Sequence, residues 1–258
     1  MTTGPTARGI LPSPDMMSGA ALPTTKVSLS GLARYLRLAA GDVGDRRFVL
    51  GIAGPPGAGK STLSVLVRDE INRQAGTGLA EVAPMDGFHL RNEQLDAAGM
   101  RARKGEPDTF DAAAYATLLG QARNWLGLVP WPAYDRDLHD PVPGGLSIDE
   151  NVRIVVTEGN YLLLASEPWA QVRGLLDAAW YLDADLETVR ARLLERQIQG
   201  GKTSAEVVAK VESSDLPNAH LVAGSRSRAG RVLTAIEGGY RVGPAEATAS
   251  IQARVPNC

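Results

Sequence analysis

The stretch Gly54-Pro55-Pro56-Gly57-Ala58-Gly59-Lys60-Ser61 spells G-x-x-x-x-G-K-[ST], with Thr62 next in line. That spacing is what a backbone needs to wrap a row of phosphates. Glycines let consecutive N–H groups converge on phosphate oxygens, and a helix starting at the lysine adds its positive end. Lys60 can then reach the outer phosphates, and the Ser61 hydroxyl can ligate Mg²⁺. The context fits the motif. The apolar run Phe48–Ala53 before it reads as a buried strand, and Leu63, Val67 and Ile71 after it line one face of a helix. A nucleoside triphosphate, ATP with Mg²⁺, is the ligand this arrangement predicts.

Two carboxylates stand at corresponding places. Ala80 to Met85 is a short apolar segment ending at Asp86-Gly87-Phe88-His89, and Val152 to Thr157 is a buried strand ending at Glu158-Gly159. In a parallel sheet, ligands sit beyond the carboxyl ends of the strands. The phosphate loop, Asp86 and Glu158 should therefore share one crevice. Phosphoryl transfer asks little covalent chemistry of a protein: clamp the phosphate, place the metal, orient an acceptor and exclude water. Asp86 is the candidate base for an acceptor hydroxyl, with Gly87 expected to admit a substrate; a turn-forming or capping role explains Asp86 about as well. Glu158 is the metal-side carboxylate, acting directly, through water, or on substrate.

The surrounding elements alternate. Helices are expected over 28–40, after Ser61, from Asp111 through Trp125, over 186–199 and over 204–212; further strands are expected at 178–183 and 231–236. This is an α/β pattern with a parallel sheet between helices and a small lid at about 190–215. Residues 91–110 read as a long irregular stretch and Pro141–Gly145 as a turn-rich one. Residues 1–26 are read as a flexible leader, 27–240 as the catalytic domain and 241–258 as a tail.

At 258 residues with 44% hydrophobic and 22% charged content, the chain is long enough for one α/β domain with a sizeable core. A net charge of −2 gives no reason to expect nucleic acid as a partner. No run approaches a membrane span, and Cys258 is the only cysteine, so the cytoplasm is the default expectation. A homodimer is the default assembly. The four tryptophans, Trp125, Trp131, Trp169 and Trp180, are expected as core or pocket walls.

Phosphate loop, Asp-Gly-Phe, Tyr134-Asp135 and Glu158-Gly159, in that order, resemble the uridine kinase, phosphoribulokinase and pantothenate kinase superfamily. Arg103-Lys104-Gly105, Thr109-Phe110-Asp111, Glu158-Gly159-Asn160-Tyr161-Leu162-Leu163 and Asp215-Leu216-Pro217-Asn218-Ala219 are similar to its bacterial nucleoside/nucleotide-kinase-like branch, to which fructose kinases are provisionally assigned. The resemblance spans about residues 45–235 and implies a kinase acting on an alcohol of a sugar, nucleoside or pantothenate-like acceptor. It makes Asp86 the base, puts Tyr134 and Arg136 in the acceptor pocket, and makes Arg192 and Arg196 lid residues over the ATP phosphates. Arg190, Arg192 and Arg196 also read as a solvated helix face. Arg103, with Arg101 and Lys104, is a candidate grip for an anionic acceptor or part of a solvated loop. His89 is counted on the substrate side, although local packing or capping explains it better. Gly200-Gly201-Lys202 stands where uridine kinases carry an Arg-Gly-Arg lid loop, which counts against uridine as the acceptor.

A nucleotide-dependent switch without a small-molecule acceptor is the competing reading. A guanine-reading Asn-Lys-x-Asp is absent from the sequence, and Leu29-Ser30-Gly31-Leu32 lies on the wrong side of the phosphate loop for a transporter signature.

Overall fold

The computed structural model describes residues 24–199 and 211–245. A seven-stranded sheet forms the centre, from β1 (Thr25–Val27), β2 (Phe48–Ala53), β3 (Ala80–Pro84), β6 (Ile154–Gly159), β7 (Ala178–Asp183), β8 (Arg231–Ile236) and β9 (Gly239–Gly243). Their spatial order is β1-β9-β8-β7-β2-β6-β3. The β3, β6, β2, β7 and β8 strands run parallel, while β9 is antiparallel to both its neighbours. Thr25 and Lys26 thus enter the sheet, as do Arg241 to Gly243 at the other end.

Every residue of β2 and β6 is buried, the expected state of a parallel strand covered on both faces. Alternation then sends Phe48, Leu50 and Ile52 to one core and Val49 and Ala53 to the other. The first core is covered by α1 (Leu29–Gly41) and α2 (Lys60–Ala75) through Leu32, Leu36, Leu63, Val67 and Ile71. Each of these buried side chains contributes about 2 kcal/mol relative to exposure. Ser28 caps α1 by accepting from the Gly31 amide at 3.1 Å.

The second core lies under α4 (Ala112–Asn124), capped by Asp111, and holds Phe88, Phe110, Tyr115, Trp131, Tyr161 and Trp169 as an aromatic cluster. Trp131, Trp169 and Trp180 are buried as expected, but Trp125, at the C-terminal end of α4, is 55% exposed.

Two segments differ from expectation. Residues 91–110 are ordered into α3 (Asn92–Ala97) and single 3₁₀ turns at Arg101–Arg103 and Pro107–Thr109. The turn-rich Pro141–Gly145 is part of a strand: β4 (Val129–Asp135) and β5 (Asp140–Ile148) form a separate antiparallel ribbon. Prolines 130, 132, 141 and 143 are tolerated there because a two-stranded ribbon consists entirely of edges.

Beyond β7, α5 (Leu186–Gln199) follows the expected pattern, and α6 (Leu216–Ala223) comes after a π-turn at Val211–Asp215. Most of the expected 204–212 helix, and Gly200-Gly201-Lys202, lie outside the described residues. Among the described residues no helix is long and apolar enough to cross a membrane.

Candidate active site

Strand order brings three chain segments to one edge of the sheet. β6 lies between β2 and β3, with Ala53 opposite Gly159 and Pro84 opposite Glu158. The phosphate loop leaving β2, the turn Met85–Phe88 leaving β3 and the end of β6 therefore meet. They enclose a cleft of about 280 Å³ lined by loop residues from Pro56 to Thr62 together with Asp86, Arg136, Glu158, Asn160 and Arg192.

In the loop, Gly57 and Gly59 take φ of 78° and 97°, conformations that suit glycine, and Gly59 begins α2 with no side-chain cap. The first-turn N–H groups of a 16-residue helix are thus left to a ligand, which is the chemistry of an anion site. Gly54, Pro55 and Ala58 are buried behind this surface, while Pro56, Gly57, Gly59, Lys60, Ser61 and Thr62 face the cleft.

Lys60 Nζ donates to the Pro55 carbonyl at 3.0 Å and to Asn160 Oδ1 at 2.6 Å. The Ser61 hydroxyl donates to Glu158 Oε1 at 2.9 Å. Glu158 is 5% exposed, and burial, reinforced by the Asp86 carboxylate, raises its pKa to about 7; Lys60, the Ser61 bond and Arg136 oppose that rise. An alcohol and a carboxylate side by side at a helix N-terminus form a hard oxygen-donor pair, the set Mg²⁺ prefers.

The strand behind Glu158 is fixed by its neighbour. Thr157 Oγ1 donates to the Ala83 carbonyl at 2.5 Å, so the Tyr115 hydroxyl, 2.7 Å away, must be the donor to Thr157. β3 and β6 are thereby tied by a side chain immediately before the two carboxylates.

Asp86 lines the cleft as expected, but Gly87 has a different use. A Cβ there would fall 2.1 Å from the Pro132 carbonyl oxygen, so glycine is required for the β4–β5 ribbon to pack on this turn. That packing delivers Arg136 to the cleft. His89 does not line it: its ring lies against Phe110 and Tyr134 with centroids at 3.9 and 4.7 Å, and Nδ1 bonds the Asp86 carbonyl. Tyr134 stands one layer back, under the Lys104 ammonium at 5.3 Å.

The basic residues of the 101–104 segment are occupied locally. Arg101 pairs with Asp96 at 3.0 Å, and Arg103 pairs with Glu106 and Asp108, both at 2.8 Å. Lys104 bridges Asn92 Oδ1 and the His139 carbonyl. None of the three lines the cleft.

Among the arginines of α5, Arg192 lies over the phosphate loop, donating to the Gly57 carbonyl at 3.1 Å, whereas Arg190 pairs with Glu212 at 2.8 Å. The side chain of Arg196 lies outside the described residues.

Asn160 is the residue for which the sequence suggested no role. It bonds Lys60 and lines the cleft. The available signal was its position, two residues past Glu158 at a strand end.

The sequence pattern of the phosphoribulokinase / uridine kinase family matches residues 49–230, which takes in every element of this cleft. The chain belongs to that family. This family member is 36% identical over 194 residues to the protein YggC of Escherichia coli K12, covering 75% of the chain and 80% of YggC. It is 33% identical over 180 residues to a Schizosaccharomyces pombe protein provisionally named uridine kinase C227.14, covering 67% of the chain and 77% of that protein. A solved structure from Silicibacter sp. TM1040, provisionally named a fructose transport system kinase, superposes with a TM-score of 0.71 at 31% identity. The match covers 77% of this chain and 95% of that one. The kinase is thus an α/β P-loop protein of this superfamily, with a nucleotide-binding loop and a parallel sheet covered by helices.

Proposed function

We propose that this kinase transfers the γ-phosphate of ATP to a hydroxyl group of a small molecule. The observation that carries the reading is the meeting of Lys60, the Ser61–Glu158 pair, Asp86, Arg136 and Arg192 on one cleft at the carboxyl edge of the sheet. Phosphate clamp, oxygen donors, carboxylate base and cations are the complement such a transfer requires.

The roles follow from position. The amides of the loop and of the first turn of α2 bind the phosphates, and Lys60 exchanges its two local acceptors for phosphate oxygens. Ser61 and Glu158 hold Mg²⁺, which when bound neutralises charge on the outer phosphates. Arg192 covers the loop and, with α5, keeps water out. Asp86 orients the acceptor hydroxyl and takes its proton as the new P–O bond forms and the bond from γ-phosphorus to the bridging oxygen of ADP breaks. Arg136 binds the acceptor opposite Asp86.

The acceptor panel follows from the names of the relatives and from the family resemblance: hexoses, pentoses, sugar phosphates, nucleosides and pantothenate. ADP release from ATP and Mg²⁺ should rise well above background with one of these classes. Asp86→Asn should cut that stimulated rate by about 10²-fold or more while leaving ATP affinity nearly unchanged. ATP binding with no stimulation by any acceptor would favour the switch reading, and wild-type turnover in Asp86→Asn would remove Asp86 as the base.

A further inference from the structure

The residue that holds Lys60 also touches the wall on the far side of the cleft. Asn160 and Tyr161 follow Glu158-Gly159 directly. Tyr161 is fully buried, packed edge-on to Phe110 with centroids 5.5 Å apart, and its hydroxyl donates to the Gly105 carbonyl. The Asn160 amide hydrogen-bonds that same hydroxyl.

Donor and acceptor chemistry fixes the direction of every link. An ammonium group only donates, so Lys60 takes Asn160 Oδ1. That leaves the Asn160 NH₂ to donate to Tyr161 Oη, whose own proton goes to Gly105. A single line of donors thus runs from the phosphate loop to the segment between the 101–103 and 107–109 turns. Gly105 is bonded onward through its amide to Thr109 Oγ1 at 2.9 Å. Its neighbour Lys104 ties the segment to the β4–β5 ribbon through the His139 carbonyl.

We infer that Asn160 is a positioning residue that couples occupancy of the phosphate loop to the anchoring of residues 101–109. The inference rests on the kinase reading, in which nucleotide phosphates draw Lys60 away. With Lys60 in place, its charge polarises the Asn160 amide and strengthens each bond down the line. Once Lys60 turns to phosphate, the line loses its charged donor and the Gly105 anchor slackens. Nucleotide binding then loosens the segment that Lys104 joins to the Arg136-bearing ribbon, and the acceptor enters after the nucleotide.

The test is hydrogen–deuterium exchange of peptides covering 101–109 in the full chain, with and without a non-hydrolysable ATP analogue and Mg²⁺. Calorimetry runs alongside to report analogue binding. In the wild type, saturation should speed exchange there about fivefold, the effect of weakening one hydrogen bond. Asn160→Ala and Tyr161→Phe, which break the line at different links, should exchange fast without nucleotide and respond less than twofold. Tyr161→Phe keeps the ring in the aromatic cluster, so one variant preserves the packing. Analogue binding with no response at 101–109 in the wild type, or an undiminished response in both variants, would overturn the coupling alone. Failure of the wild type to bind the analogue would overturn the kinase reading and the coupling with it.

Discussion

Glu158→Gln should stabilise the nucleotide-free protein at alkaline pH, although it removes a residue assigned to metal binding. Glu158 is buried beside Asp86, and these causes, in that order of size, lift its pKa from 4.5 to about 7. The sign follows from proton binding. Between the unfolded and folded values the folded chain holds the extra proton, so stability falls as pH rises through that window. At about 1.36 kcal/mol for each pH unit between the two values, the cost approaches about 3 kcal/mol at pH 8. Under 1 kcal/mol of it is incurred by pH 5, so roughly 2 kcal/mol should separate the two conditions. Gln keeps an oxygen to accept from Ser61 and has no charge to desolvate.

The assay is urea unfolding of both proteins, without nucleotide, at pH 5 and pH 8. Histidines titrating in that range are common to both and cancel in the comparison. Glu158→Gln should exceed the wild type by about 2 kcal/mol more at pH 8 than at pH 5. Asp86→Asn should shrink the wild-type pH dependence without abolishing it, because burial is the larger cause. An advantage that stays constant within about 0.5 kcal/mol across the two conditions would refute the assignment of a buried, proton-holding carboxylate at 158.

Three further perturbations probe the frame of the site. Gly87→Ala places a Cβ 2.1 Å from the Pro132 oxygen, so the β4–β5 ribbon must shift; acceptor-stimulated turnover should fall at least tenfold with nucleotide affinity preserved in a binding titration. Arg47 is fully buried and donates to carbonyls that include Val152, Ala122, Leu126, Gly127 and Asp149, so Arg47→Met should cost about 3 kcal/mol or more in urea unfolding. Asp177 accepts from Arg46 at 2.7 Å, from Arg123 at 3.1 Å and from the Val49 amide at 2.9 Å, bonds that hold its pKa below 3.8 against the opposing cost of burial. Its contribution is present above pH 4 and lost on acidification, so Asp177→Asn should be less stable at pH 7 and lose less than the wild type as the pH is lowered toward 3.

What was legible in the sequence was what short-range pattern determines. β2, β6, β7 and β8 are apolar runs bounded by turn residues, and being covered on both faces they need no knowledge of their partners. β1 and β9 are a different case. Thr25–Val27 is three residues long and finds its partner at 240–242, so nothing within a local window marks it as a strand. The β4–β5 ribbon was hidden by its prolines, which argue against a strand interior and are harmless on an edge.

The same division runs through the active site. The phosphate loop could be read because its eight residues are consecutive, and Asp86 and Glu158 because a parallel sheet gathers its strand ends. The surrounding side chains could not, since identity alone does not reveal a neighbour. Arg103 and Arg136 are equally plausible anion grips in sequence, yet Glu106 and Asp108 bind one on its own loop while Gly87 lets the ribbon carry the other to the cleft. A glycine that looked like room for substrate is instead room for protein, and it decides which arginine can meet an acceptor. Recognition on this side of the cleft therefore depends on the ribbon's docking as much as on the residues it presents. Relatives that share the phosphate loop can differ in acceptor through a displaced ribbon, without exchanging a single polar side chain.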